Sequence, residues 1–480
     1  MGRSQVRLLA IPLVLALLGT GCGKNRDAAP AASAAPPSSS ATSTSVGATT
    51  PSTDAKPVVP MFGDAPWPCS KATTPNTDSG TEPGVTKDAI IIAGGDDAGY
   101  VGSPGLNHEM TDAMKAMVSK CNDLGGINGR IITFNYFDAK IFEVAAAMQG
   151  VCDGNNFFLV GQGWAFDAQQ EEIRLKCKMP SVPTYSVSAA FAHGKDVFMG
   201  VPNPSDEMSA GYYAQLATLK PEAVKKVATL AGAFSATQES RDKVLAAAPQ
   251  FGWGFVDAKL EYNPAGEADW TPFVKQIKDS GATMMYWSGT CLPGLQLFAQ
   301  TAKANGLDIP IVTDANHYSA QCAGANTDGA LNNVYVRLTS IPFEEAATNK
   351  ATQDFLDLIK QKGGDVALLG TQSASSFLLW ATASSECGAD LTRACVLANL
   401  AKITKWTGHG LHAEDNPGQN HPSSCNIVLK IEGTGYKRVT PDKAGTFECK
   451  SAWVVPITGT PALAAAKLDA KRISQQFSAG

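Results

Sequence analysis

The stretch from Thr86 to Asn128 restricts the choice of fold more than any other part of the chain. Ile90-Ile91-Ile92-Ala93 is a short apolar run that ends in Gly94-Gly95-Asp96-Asp97. Beyond a loop through Tyr100 and Pro104, the residues Met110, Ala113, Met114, Met117, Val118, Cys121 and Leu124 recur at the spacing of one face of an α-helix. Gly125-Gly126 then supply the left-handed conformation that ends a helix. A strand buried on both sides, a glycine-rich loop, an amphipathic helix and a stop make one βα unit. The loop at the carboxyl end of such a strand is free to meet a ligand.

The unit recurs. Strands are expected near Ile90–Ala93, Ile131–Tyr136, Phe157–Val160, Val182–Tyr185 and Val197–Gly200, with helices at Met110–Leu124, Glu143–Val151 and Asp167–Leu175. That rhythm predicts a mostly parallel sheet. Val201-Pro202-Asn203-Pro204-Ser205 interrupts it, because two prolines oppose both helix and ladder pairing. The grammar then restarts. A helix runs from Met208 to Leu219, strands follow at Val227–Ala231 and Phe255–Tyr262, and Trp270, Phe273, Val274 and Ile277 share a helix face. Met284–Trp287 reads as a buried strand, Leu295–Lys303 as a helix, and Ile309–Val312 and Val334–Leu338 as strands. Ser340-Ile341-Pro342 marks a second crossing; helices around Phe355 and Phe377 and strands at Ile427–Ile431 and Tyr436–Val439 complete the pattern. The fold class expected is α/β, with two similar Rossmann-like lobes.

A chain of 480 residues has room for both. Its formal charge of −5 provides no basic field for nucleic acid. Arg3 and Arg7 followed by the apolar Leu8–Leu18 read as an export signal, too short for a comfortable membrane span. With Gly19-Thr20-Gly21 ahead of Cys22, the stretch resembles a bacterial lipoprotein signal in which Cys22 is lipidated, although Gly19 stands where the lipobox leucine usually sits. The stretch from Ala28 to Pro60, almost all Ala, Ser, Thr and Pro, cannot bury enough apolar surface to offset its ordering entropy and is expected to be a disordered tether. Setting Cys22 aside leaves an even number of the 11 cysteines, which in an exported chain points to disulfides. The pairs expected are Cys121/Cys152, Cys387/Cys395, Cys425/Cys449, Cys291/Cys322 and, by remainder, Cys69/Cys177.

Catalytic motifs are absent: there is no G-x-S-x-G, no H-E-x-x-H and no G-x-x-x-x-G-K-[ST]. Gly94-Gly95 is not followed by G-x-G-x-x-G, and Asp96-Asp97 would repel a pyrophosphate. His409, His412, Glu414 and His421 fit no standard zinc spacing and lie in a glycine-rich loop. Neither an enzyme, nor a metal, nor a cofactor is expected.

Pro83-Gly84-Val85-Thr86, the Ile90 strand, the Gly125-Gly126-Ile127-Asn128-Gly129 turn and the doubled βα rhythm together resemble type I periplasmic binding proteins. Asp269-Trp270-Thr271-Pro272-Phe273, Ala304-Asn305-Gly306 and His421-Pro422-Ser423-Ser424-Cys425 extend the likeness, which covers about Glu82 to Lys450. The branch resembled is the leucine/isoleucine/valine-binding-protein-like substrate-binding lipoproteins of ABC importers. The resemblance implies two lobes joined by three hinge crossovers, residues 67–204 and 341–410 against 205–340 and 411–455, with 1–22 a signal peptide, 23–66 a tether and 456–480 a tail. It implies a ligand cleft between the lobes that closes by hinge motion. Position by position, it assigns ligand contacts to Tyr100, Trp164, Ala165, Phe166, Thr184, Tyr185, Ser186, Phe234, Ser235, Thr290, Asp314 and Asn316. Amino-acid-binding relatives hold the ligand carboxylate with a hydroxyl where this chain has Ala165 and Phe166, so Trp164, Phe166 and Tyr185 equally fit an aromatic or aliphatic ligand. The expected function is capture of an amino acid, amide or small carboxylate for an ABC permease, from a lipid anchor on the outer face of the bacterial membrane. The alternatives are a ligand sensor for a membrane partner and, more remotely, an exported hydrolase.

Overall fold

Strand β1 (Ala89–Asp96) shows why the first lobe forms. Its Ile90 and Ile92 enter one apolar cluster and its Ala93 another, so the strand is covered on both faces. The computed structural model describes residues 59–77, 80, 82–256 and 259–477. After β1 come α1 (His108–Asp123), β2 (Ile131–Asp138), α2 (Val144–Asp153), β3 (Phe158–Val160), α3 (Ala168–Lys176), β4 (Ser181–Val182) and the short α4 (Ala189–Ala192). The four strands form a parallel sheet in the order β2-β1-β3-β4, with Ala89 opposite Ile131 and Asp96 opposite Asp138. Met110, Ala113, Met114, Met117, Val118 and Cys121 are all buried on α1. Burying each of the larger of these side chains stabilises by about 1.5–3 kcal/mol. Gly126, at φ +77°, lets its N–H reach back to the Cys121 carbonyl and closes the helix.

The second lobe runs through β5 (Glu207–Ser209), α5 (Gly211–Leu219), β6 (Val227–Gly232), α6 (Ser235–Ala247), β7 (Leu260–Tyr262), α7 (Thr271–Asp279), β8 (Met284–Ser288), α8 (Gln296–Ala304), β9 (Ile311–Thr313), α9 (Ala320–Gly324) and β10 (Val334–Leu338). The chain then returns to the first lobe for α10 (Lys350–Lys362), α11 (Leu368–Ser385) and α12 (Arg393–Leu400), and comes back for β11 (Cys425–Glu432), β12 (Gly435–Thr440) and β13 (Glu448–Cys449). The second sheet is ordered β12-β11-β10-β9-β8-β6-β7, parallel from β7 to β10 and antiparallel beyond, with β13 beside β11. Last come β14 (Val454–Pro456), paired with β5, and α13 (Pro461–Ala466). The segments that change lobe lie together at one edge: Ser340 bridges His412, and Ala413 N–H donates to the Thr339 carbonyl.

Several expectations need correction. The strand expected at Val182–Tyr185 stops at Val182, since Pro183 brings no N–H to the ladder. That at Val197–Gly200 is a single bridge to Ser181. Helix α6, polar for most of its length, was not anticipated. The tether does not reach residue 66: Met61–Phe62 pairs with Ala65–Pro66, and Phe62 is buried against Trp67. The export signal and Cys22 lie outside the described residues. Three disulfides join the cysteines expected, Cys291–Cys322, Cys387–Cys395 and Cys425–Cys449. The other two are Cys69–Cys121 and Cys152–Cys177. Cys121 lies in the cluster on one face of the first sheet and Cys152 packs against the cluster on the other, so the sheet keeps that pair apart.

Candidate functional site

A cavity of about 280 Å³ lies between the lobes, lined by the loops that follow the parallel strands of both sheets and by α6 and α11. Its position follows from topology: parallel βα units bring all their strand-end loops to one edge. Tyr100, Ala165, Phe166, Tyr185, Ser186, Phe234, Thr290, Asp314 and Asn316, of the residues assigned to the ligand, line it. Three expected residues do not. Trp164 is wholly buried in the core between the first sheet and α2, the Thr184 hydroxyl donates to the Gly161 carbonyl, and Ser235 opens α6 on the outside. Gly161 itself, at φ +69°, turns the loop away from β3 where any Cβ would strike Met114.

Two buried carboxylates set the first-lobe loops. Asp97 accepts from the N–H of Ile141 at 2.7 Å and of Ala165 at 2.8 Å, so one side chain fixes the loops carrying Ile141, Phe142, Ala165 and Phe166. Asp167 does the same for Val187 and Ser188, at 2.6 and 2.9 Å. Burial pushes Asp97 up to about 6 and Asp167 up to about 7, against the pull of these hydrogen bonds. Asn107 donates to the Tyr185 hydroxyl at 3.1 Å.

The lobes meet across the cleft. The Tyr100 hydroxyl donates to the Pro264 carbonyl at 3.3 Å and Ser103 to the Leu292 carbonyl at 3.3 Å. The rings of Phe166 and Phe234, one from each lobe, stand 5.6 Å apart, and Phe142 extends the aromatic row to Tyr100.

The opposite end of the cavity is charged, and the sequence reading missed most of it. Asp314 accepts from the hydroxyls of Ser240 at 2.7 Å and Tyr286 at 2.5 Å, and its other oxygen faces Arg337 Nε at 3.5 Å. Lys243 on α6 donates to Asn203 Oδ1 at 2.9 Å and the Pro204 carbonyl at 2.7 Å, in the first crossover. Burial, with Arg337 nearby, pushes Lys243 down to about 7. Two signals pointed here. Ala236, Thr237, Ser240 and Lys243 share one helical face, and Arg337 is the lone charge in Val334–Leu338.

The histidine cluster is occupied otherwise. His412 pairs with Ser375 at 2.8 Å and Asp415 at 3.2 Å, and His421 with Glu207 at 2.7 Å. Among the described residues no group of three His, Cys, Asp or Glu is placed to hold a metal, and no helix is long and apolar enough to cross a membrane.

Two α/β lobes with crossovers at one edge and a cavity between them define a type I periplasmic binding fold. The family model for periplasmic binding proteins matches residues 96–436. The chain belongs to the periplasmic binding protein family, whose members bind small solutes. The structure is similar to a fatty acid ABC transporter substrate-binding protein from Thermomonospora curvata, with a TM-score of 0.64 at 15% identity, covering 79% of this chain and 100% of that one. It is also similar to a solute-binding protein of an ABC transporter from R. palustris in complex with 4-hydroxybenzoate (TM-score 0.61, 16% identity, 79% and 100% covered). A third likeness is to the branched-chain amino acid substrate-binding protein of Streptococcus pneumoniae in complex with isoleucine (0.58, 17%, 74% and 100%). No curated protein matches the sequence.

Proposed function

We propose that this chain is an extracytoplasmic solute-binding protein that captures an amino acid, amide or small carboxylate by lobe closure and delivers it to an ABC permease. The observation that carries the reading is the cavity itself, walled by both lobes and crossed at its mouth by Phe166 and Phe234. Residues 67–204 and 341–410 move as one body and 205–340 and 411–455 as the other, about the segments near Pro202, Ser340 and Leu411. Tyr100, Ala165, Phe166, Tyr185, Ser186, Phe234, Thr290, Asp314 and Asn316 contact the ligand. Lipid on Cys22 and the tether hold the body off the outer face of the membrane. Isoleucine and 4-hydroxybenzoate, named with two of the similar structures, share a carboxylate and an apolar body, which supports this ligand range.

The test is a thermal-shift screen against amino acids, amides, polyamines, and aromatic and aliphatic acids. A ligand at 100 times its dissociation constant adds about 2.7 kcal/mol of stability. A flat melting temperature across the whole screen contradicts the capture reading.

A further inference from the structure

The two walls of the cavity differ in kind. The first-lobe wall is uncharged throughout, built from Leu106, Ile141, Phe142, Ala165, Phe166 and their neighbours, with Asn107, Tyr185, Ser186 and Gln372 as its polar groups. Ser186, one of the expected ligand contacts, already donates to Met199 Sδ at 3.1 Å and the Asn203 carbonyl at 3.4 Å. Every charged side chain on the cavity surface comes from the second lobe or the crossovers: Glu207, Lys243, Asp314, Arg337 and Asp415.

Their partners decide which charge is free to meet a ligand. Glu207 is held by His421 and Arg472, whereas Asp415 lies 3.2 Å from His412 with both its oxygens buried and without a hydrogen bond. One oxygen of Asp314 takes two hydroxyls and the other faces Arg337. Asp314 and Asp415 each keep buried carboxylate oxygen without a hydrogen bond, so an ammonium would also find acceptors on this wall. The cations are different. Lys243 is buried with only the neutral Asn203 and Pro204 oxygens as hydrogen-bond partners, and Arg337 Nε is buried without a hydrogen bond. The carboxylates of Asp314, Asp206 and Glu239 act on Lys243 from nearby, none of them hydrogen-bonded to it. Desolvated charge of this kind is expensive unless a counter-charge arrives.

Resting on the solute-capture reading, we infer that the ligand carries a carboxylate on an aromatic or branched aliphatic body. Its carboxylate sits between Lys243 and Arg337, and its body lies along the uncharged wall of the first lobe. This narrows the ligand range and places the anion in the second lobe rather than at Ser186. A cavity of 280 Å³ is below the span usual for drug-sized ligands, so the body is small.

The experiment is calorimetric titration of the full chain with 3-phenylpropanoate, 4-methylpentanoate and L-phenylalanine, against 3-phenylpropanamide and 3-phenylpropylamine. The expected result is binding of a carboxylate at least about tenfold tighter than the amide or the amine, because the charge-assisted hydrogen bonds to the carboxylate are lost in both. Lys243→Met and Arg337→Met, checked for fold by circular dichroism, each weaken the acid at least about tenfold while leaving the amide within about threefold. The panel on the unaltered chain does not depend on those variants folding. Amide or amine binding as tightly as the tightest carboxylate overturns this inference and leaves capture standing. So does binding of an acid that neither variant weakens. Failure of every compound here and in the wider screen counts against capture itself.

Discussion

Replacing Phe234 with alanine tests lobe closure through the ring pair that spans the cleft. Phe166 and Phe234 are half-buried, 5.6 Å apart and inclined at 50°, an arrangement in which an aromatic pair contributes about 0.5–1.5 kcal/mol beyond its buried area. Tyr100 to Pro264 and Ser103 to Leu292 add neutral hydrogen bonds across the cleft, each worth about 0.5–1.5 kcal/mol. Because ligand affinity scales with the population of the closed form, losing the pair weakens binding by about 2- to 13-fold. A double-mutant cycle with Phe166→Ala isolates the term from direct ligand contacts. Calorimetric titration of the four proteins should give a coupling of about 0.5–1.5 kcal/mol in binding. Thermal unfolding of the ligand-free proteins should show much less coupling. Effects that add to within about 0.3 kcal/mol in binding would refute the idea that the pair acts across the closing cleft.

Affinity for a carboxylate should fall as pH rises. Lys243, pushed down to about 7 by burial and by Arg337 against the pull of Asp314, Asp206 and Glu239, is charged in the free protein below that pH and must recruit a proton to meet an anion above it. Glu239, pushed up to about 7 by burial, gains its charge over the same range and acts in the same direction. Titrations between about pH 6 and pH 9 should show a loss of up to tenfold per unit above neutrality, flattened by Lys243→Met. Arg130→Met should destabilise the first lobe by at least about 3 kcal/mol in chemical denaturation, since the buried guanidinium donates to the carbonyls of Thr86, Thr77, Gly388 and Ala389 and to Asn76. Removing the Cys291–Cys322 bridge by double serine substitution should cost about 3–4 kcal/mol from loop-closure entropy alone, read from the urea midpoint.

The fold was legible in the sequence because apolar runs and helical spacing are local signals. The Ile90 run, the Met110–Leu124 stripe and the Met284–Trp287 run all became elements close to where they were read. The crossings at Pro202 and Pro342 announced themselves through proline. What escaped depends on long-range geometry. The cysteine pairs of α1 and α2 could not be sorted without knowing that the two helices cover opposite faces of the first sheet. Trp164 looked like a ligand contact because it follows a strand, yet its side chain turns into the core beneath α2 while Ala165 and Phe166 face the cavity. Lys243 was hidden in a helix whose polar composition masked its period, and Arg337 in a strand read only for its apolar residues.

The central claim is that the space between the lobes is where the ligand sits. Ala165 lines that space from the loop fixed by Asp97, and a tryptophan there fills it without entering the core clusters of either lobe. Calorimetric titration of the unaltered chain and of Ala165→Trp with the tightest binder from the screen tests the claim directly. One site per chain in the first, and no detectable binding in a variant that unfolds at the same temperature, is the result expected. Equal binding by both proteins would contradict it and put the ligand elsewhere on the molecule.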